Sequence, residues 1–334
     1  MAEVSPYIED IRRGLQQYDL TSLTGSRILI TGATGLIGGC LVDILMHCQC
    51  QVYALGRNEA RARQHFADYW QHERFHFVKG DVTELLPVDI PFDYIIHAAS
   101  NASPNFFKEK PVEVIKSNIM GGANLMEYGL AHGMKRMLYV SSGEIYGEGS
   151  GETFKETDSG YIDCATPRAC YPSSKRTAET LCVAYAAEYG ADVVIARPCH
   201  TYGPHFTESD NRVYAQFIRN VLRGEDIVIT GTGELYRSWI YVVDCALAIL
   251  LLLVKGECGQ AYNVADEQSC VSIRTLAEMT ARMAGRRVIM SNQDKSGSAP
   301  ITHATFCTSK LEALGWQPLC HLEEGLAHTI AALR

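Results

Sequence analysis

A chain of 334 residues, 47% hydrophobic and 20% charged, carries enough apolar material for one large core or two unequal ones and is not composed like a disordered segment. Its 30 Lys and Arg against 38 Asp and Glu give a net charge of -8, which leaves no basic stripe for a phosphodiester backbone and argues against a nucleic-acid partner. The longest apolar run, 245–254, is too short to cross a bilayer, and Glu9, Asp10 and Asp19 stand where a secretion signal would be apolar, so a cytoplasmic protein with no membrane partner is expected.

Residues 5–19 read as a short amphipathic helix ahead of the first strand. From Arg27 onward, short apolar runs alternate with helical stretches: RILIT, a helix over about 36–47, QVYAL, FHFVKGD, DYIIHAA, a helix over about 112–132, RMLYVSS, a helix over about 172–189, and DVVIARP. Strands that are apolar throughout and joined by helices specify a parallel sheet covered on both faces, an α/β doubly wound, Rossmann-like fold. After Pro198 the rhythm breaks into the loop-like TYGPHFTESDNR, a helix over about 214–222, DIVIT, the turn GTGELYR and SWIYV, as in a smaller mixed α/β lobe. The helix over 243–254 and the strand AYNVA are expected to return to the first domain. The expected partition is a helical extension over 1–25, a dinucleotide-binding domain over 26–198 and a mainly substrate-binding domain over 199–334, with about 240–265 returning to the first domain. Ser272 and Gly315 are ordinary helix end signals. The 12 cysteines are scattered, and Cys48 and Cys50 lie too close for a zinc or redox pair, so they read as small buried thiols in a reducing compartment, with no metal.

In RILITGATGLIGG, Gly32, Gly35 and Gly38 let the chain turn sharply, approach a pyrophosphate and pack a helix on the sheet, with Thr34, Leu36 and Ile37 completing the turn. The spacing GxxGxxG departs from the dinucleotide fingerprint and is weak alone; its place between strand and helix makes it a cofactor site. QVYAL ends at Gly56, Arg57 and Asn58, where an NAD enzyme commonly carries an acid. The missing carboxylate and the charge of Arg57 favour NADP or NADPH, with NAD possible, although Arg57 also reads as a solvated loop charge. Asp81 and Val82 follow the third strand toward the adenine. Ala98, Ala99 and Ser100 fall beside the nicotinamide half, with Pro198 closing the same side, and His97 reads as a structural histidine.

Tyr171 and Lys175 stand one helical turn apart and share a face. A phenol of pKa near 10 becomes a working base when an ammonium and a cofactor's positive charge favour its phenolate, and Lys175 can also bind ribose hydroxyls. LYVSSGEIYG supplies Ser142 to hold the substrate oxygen whose proton Tyr171 exchanges, with Ser141 as the fallback. Beside Gly143, Glu144 can take an activated C–H proton, orient a sugar hydroxyl, or merely cap a loop. In the second lobe, Arg212 and Arg237 suit a diphosphate or carboxylate, and His200 and Tyr202 are expected to line the cleft.

These segments resemble the extended short-chain dehydrogenase/reductase family, and within it the nucleotide-sugar epimerases, dehydratases and decarboxylases. TGATGLIG, DYIIHAAS, SNIMGGANLMEYG, LYVSSGEIYG, YPSSK, ARPCHTYGP and RSWIYVVD occur in the family's order over nearly all of the chain after residue 25. The resemblance implies that Asn118 organises the site, Ser142 is the hydroxyl, Tyr171 and Lys175 are the catalytic pair, the nicotinamide cofactor is retained, a nucleotide-diphosphate sugar is the substrate, and helices of the first domain form a homodimer. PRACYPSSKRTAETLC and DNRVYAQFIRNVLRGEDI resemble the UDP-glucuronate decarboxylase branch, which oxidises C4, loses carbon dioxide and reduces C4 to give UDP-xylose; Glu144 and Arg237 match that branch too. Gly143 replaces its serine, His200 its asparagine, and the NAD-binding acid is absent at Gly56. The favoured expectation is therefore NADP(H)-dependent reduction of a nucleotide-linked 4-keto-6-deoxyhexose. UDP-glucuronate decarboxylation, 4-epimerisation or 4,6-dehydration, and a nonenzymatic nucleotide-sensing module are the alternatives.

Overall fold

A computed structural model describes residues 5–149, 153–207, 210–291 and 303–334. The first part runs α1 (Pro6–Gln17), β1 (Arg27–Thr31), α2 (Leu36–His47), β2 (Gln51–Gly56), α3 (Glu59–His65), β3 (Phe75–Lys79), β4 (Tyr94–His97), α4 (Pro104–Glu109), α5 (Pro111–Ala131), β5 (Arg136–Val140), α6 (Cys170–Tyr189) and β6 (Val193–Pro198). The second runs β7 (His200–Tyr202), α7 (Val213–Leu222), β8 (Ile227–Thr230), β9 (Tyr236–Tyr241), α8 (Val242–Lys255), β10 (Ala261–Val264), β11 (Cys270–Ser272), α9 (Ile273–Met283), β12 (Val288–Ser291), β13 (His303–Ala304), α10 (Ser309–Glu312) and α11 (Leu322–Ala332).

Seven parallel strands form one Rossmann-like sheet in the order β10-β6-β5-β4-β1-β2-β3. Its strands lack a polar face because helices cover both sides: every residue of β6 is buried, and so are four of the five in β1 and in β5. The order reverses between β1 and β4, whose registers pair Thr31 with His97, and a doubly wound sheet opens a ligand crevice at such a reversal. The smaller region is mixed: β9 pairs antiparallel with β11 and parallel with β13 and β7, while β8 and β12 form a separate parallel pair. Helix α8 is buried from Val242 to Leu253 and packs on α2, β5 and β6, so the long apolar run is core. Among the described residues, no helix is long and apolar enough to cross a membrane.

The N-terminal helix is built into the body. Tyr7 donates to Asp43 of α2 at 2.7 Å, and a β-carbon at Gly14 would run into Leu247 of α8. Buried Asp10 is held by Arg13 at 3.2 Å and by His328 of α11 at 2.6 Å, with the Cys320 thiol 3.7 Å away. Both oxygens of that carboxylate are taken, and Asp10, Cys320 and His328 form a hydrogen-bonded clasp between α1 and α11.

A second buried network ties α6 to the sheet. Glu179 accepts from Arg197 of β6 at 2.7 Å and from Ser141 at 2.5 Å. Arg197 also donates to the Tyr146 hydroxyl at 2.9 Å, which donates on to Asn263 of β10 at 2.6 Å. Removing one partner of a buried ion pair leaves the other charge uncompensated. Arg197→Met is expected to destabilise the chain by about 3–5 kcal/mol, read as a lower urea midpoint; a loss well under about 1 kcal/mol would mean that the pair behaves as an exposed one.

Candidate active site

The site is assembled where β1, β4, β5 and β6 end. Gly32 has φ +66°, and a β-carbon there would lie 2.6 Å from the Ala98 carbonyl oxygen, so only glycine lets β1 turn across the end of β4. Gly38 packs on Gly32 and Ala33, and Gly35 caps α2, whose unpaired N–H groups therefore face the crevice. Thr34 accepts from Arg61 through its carbonyl at 2.8 Å, Leu36 is buried and Ile37 half-buried against the core. Ala98, Ala99 and Ser100 continue from β4, and Pro198 ends β6. Buried Ser100 Oγ and Asn118 Oδ1 have no partner among the described residues. A glycine cradle, a helix N-terminus and two unsatisfied buried polar atoms fit a dinucleotide.

At the ribose end, Asn58 caps α3 by accepting from the Arg61 backbone at 3.0 Å. Arg57 lies 3.5 Å from Asp81. Burial raises the Asp81 carboxyl, but hydrogen bonds from Thr83 and the charge of Arg57 outweigh it and hold the group below its ordinary range. Val82 is buried against Gly121 of α5, a packing role. His97 pairs with Thr31 at 2.8 Å and is pulled down to about 3 by burial and by Lys175.

Tyr171 and Lys175 lie on α6, which starts at Cys170, slightly earlier than the apolar pattern suggests. Asn118 donates to Ser174 at 2.8 Å, and Ser174 donates to the Cys170 carbonyl at 2.5 Å, fixing the helix's first turn. The Tyr171 hydroxyl is hydrogen-bonded to Ser142. Lys175 donates to the Val140 carbonyl at 2.7 Å and lies 5.8 Å from the Tyr171 ring centroid. Burial pushes Tyr171 up to about 12, aided by Glu144 and opposed by Ser142, Arg212 and Arg168. Burial pulls Lys175 down to about 7, opposed by Glu179. Desolvation is the larger effect on both groups, so the phenolate needs the cofactor's positive charge as well as the ammonium.

Ser142 accepts from the Glu144 backbone at 3.2 Å, whereas Ser141 is committed to Glu179. Glu144 accepts from Arg168 at 2.8 Å. A β-carbon on Gly143 would lie 2.5 Å from the Phe306 ring. Arg237 is buried, donates to the Tyr236 carbonyl at 2.8 Å and is electrostatically coupled to Glu144; Arg212 is coupled to Tyr171 but bonded to Asp210 at 2.5 Å. His200 sits at the edge of β7, 5.3 Å from Trp239 and open to solvent on one side, while desolvation against the protein and the charges of Arg237 and Arg212 lower its pKa. Tyr202 does not line the cleft: it is fully buried against Tyr241 and Gly325. Arg168, Phe107 and Phe306 went unread because nothing in their local patterns marks them; each reaches the site through tertiary packing.

The model of the NAD dependent epimerase/dehydratase family matches residues 28–265. The chain is 34% identical over 310 residues to UDP-glucuronic acid decarboxylase 1 of Xenopus tropicalis, covering 92% of this chain and 72% of the relative. The crystal structure of UDP-glucose 4-epimerase from Thermotoga maritima with UDP-glucose superposes with a TM-score of 0.78 at 25% identity, over 92% of this chain and 98% of that one. UDP-glucose 4-epimerase of Thermus thermophilus in complex with NAD gives 0.76 at 25% identity, again over 92% and 98%. The chain belongs to the NAD dependent epimerase/dehydratase family and is a nucleotide-sugar-modifying enzyme of the extended short-chain dehydrogenase/reductase type.

The NADP preference inferred from Gly56 and Arg57 is overturned. The family is NAD dependent, and the Thermus enzyme is in complex with NAD. In this chain Arg57 lies 3.5 Å from the Asp81 carboxylate, so its charge is already partnered and is not a signal for a 2'-phosphate.

Lys175 also has a measurable cost. Its folded pKa lies below its unfolded value, so the unfolded chain binds more protons between about pH 7 and the ordinary lysine range, and native stability rises with pH through that window. Lys175→Met is expected to abolish turnover yet stabilise the fold at pH 6 by on the order of 3 kcal/mol, a gain that shrinks toward pH 10. Urea unfolding of both proteins across that range checks it, and a gain independent of pH would refute the buried charge.

Proposed function

We propose that this enzyme is an NAD-dependent UDP-glucuronate decarboxylase that forms UDP-xylose through a C4 ketone. The observation that carries the reading is the 34% identity to a UDP-glucuronic acid decarboxylase, sustained over 92% of this chain. The geometry supports it by gathering Ser142, Glu144 and Tyr171 within one set of hydrogen bonds and couplings, with Arg237 coupled to Glu144.

Bound NAD supplies a hydride acceptor, later a hydride donor, and a positive charge that favours the Tyr171 phenolate. Tyr171 removes the O4 proton while Ser142 holds that oxygen, and Asn118 keeps the first turn of α6 in place. The C4 ketone then lies β to the C6 carboxylate. The C5–C6 bond breaks, its electron pair passes into the C5–C4–O4 enolate, and carbon dioxide leaves. A proton is delivered to C5 beside Glu144, and Tyr171 returns its proton to O4 as C4 is reduced. The balance is one proton taken up and one carbon dioxide released, with no net change in cofactor.

Reduction of a nucleotide-linked 4-keto-6-deoxy sugar is a second reading. One observation favours it: the Phe306 ring fills the space next to Gly143, where the decarboxylase branch carries a serine, so this wall is apolar.

UDP-glucuronate labelled in its carboxyl group is expected to release labelled carbon dioxide with no net change in NADH. Retention of the label, with NADH consumed by a dTDP-4-keto-6-deoxyhexose, would replace the first reading by the second. Tyr171→Phe is expected to keep its melting temperature and NAD binding while losing roughly 10²–10⁴-fold in kcat; unchanged turnover would remove the phenol from the reaction.

A further inference from the structure

We infer that Arg168 is a positioning residue for the reaction at C4, one guanidinium that orients both Glu144 and Tyr171. The inference rests on the C4 chemistry proposed above. Arg168 lies in the short 3-10 turn Pro167–Ala169 directly before α6. Its Nη2 donates to Glu144 at 2.8 Å. Its Cζ lies 5.0 Å from the Phe107 ring centroid. Phe107, itself 1% exposed, stacks on Tyr171 with centroids 4.9 Å apart and planes at 23°. The guanidinium, the Phe107 ring and the phenol therefore form a continuous stack whose first member also holds the carboxylate.

The energetics say that this arrangement is not there for stability. The side chains of Arg168 and Glu144 are 46% and 33% exposed, and an ion pair in that setting contributes about 0–1 kcal/mol. Orientation is a different matter, because displacing a reacting group by about 1 Å can cost on the order of 10²-fold in rate. Short α4, which carries Phe107, is anchored from outside by Ser103, whose hydroxyl bonds Asn211 at 2.9 Å. Arg168 thus joins the segment covering Tyr171 to the loop bearing Glu144. Lysine can reach the carboxylate but cannot stack a planar cation on the ring.

The test uses the full chain with NAD and the nucleotide sugar it turns over, so an enzyme that ignores UDP-glucuronate refutes the earlier reading without removing this readout. Arg168→Ala is expected to lower kcat by about 10²-fold with KM changed less than about threefold and the melting temperature retained. Arg168→Lys should recover part of the loss. In a Glu144→Gln background the same Arg168→Ala change should cost clearly less than in the unaltered chain, the remainder being the part exerted on Tyr171 through Phe107. Costs that multiply in the double variant would overturn the inference, as would unchanged kcat, or a raised KM with kcat retained, which would make Arg168 a substrate-binding residue.

Discussion

The close approach of the turn after β1 to the chain leaving β4 is the constraint on which the rest depends. Reversal of strand order at this point leaves a gap between neighbouring crossovers, and the chain must turn through the gap without filling it. Gly32 makes that possible because its backbone lies against the Ala98 carbonyl and no side chain could fit there. The N-terminus of α2 then faces one side, Ala98, Ala99 and Ser100 the other, and β5 and β6 bring Ser142 and Pro198 to the same level. The backbone N–H groups of α2 would hold a dinucleotide's phosphates here and the α6 side chains would face its reactive end, so one steric exception orders the whole site.

The chemistry brings charges into places that folding alone would leave apolar. Lys175 and Tyr171 are both almost fully buried, and burial moves each away from the protonation state that a proton relay uses. The protein offsets part of that cost with Glu179, one turn beyond Lys175, and then must satisfy Glu179 with Arg197 and Ser141. Each compensation recruits another element, until α6, β6, β10 and the Ser142 loop share one hydrogen-bonded network. The same network that stabilises the interior therefore fixes the angle at which the catalytic loop leaves β5.

Legibility in the sequence tracks the range of the interactions. The seven parallel strands were legible because burial on both faces writes a continuous apolar run into each, and the glycine turn because positive φ and close approach exclude side chains locally. Tyr171 and Lys175 were legible because helical spacing alone gives them a common face. Arg57 was misread because its partner, Asp81, follows the next strand and is not visible from the segment that carries Arg57. Tyr202 looked like a cleft residue in its polar segment but is packed under α11. The role of α1 was invisible because Asp10 finds its partner, His328, at the far end of the chain.

Diversification within this family can then be placed on a short stretch of the structure. In the C4 chemistry proposed above, the phenol, the hydroxyl and the glycine-rich crevice belong to α6 and the ends of the central strands. The groups proposed to act on the resulting ketone are tied to other segments: Glu144 to Arg168, and Gly143 to Phe306. The Phe306 ring sits in an apolar cluster with Ile145, Tyr146 and Phe154, so exchanging a serine for Gly143 would require the cluster to move as well. A side chain at Gly143 is thus coupled to the packing of Phe306, so a substitution there calls for a compensating one in this cluster.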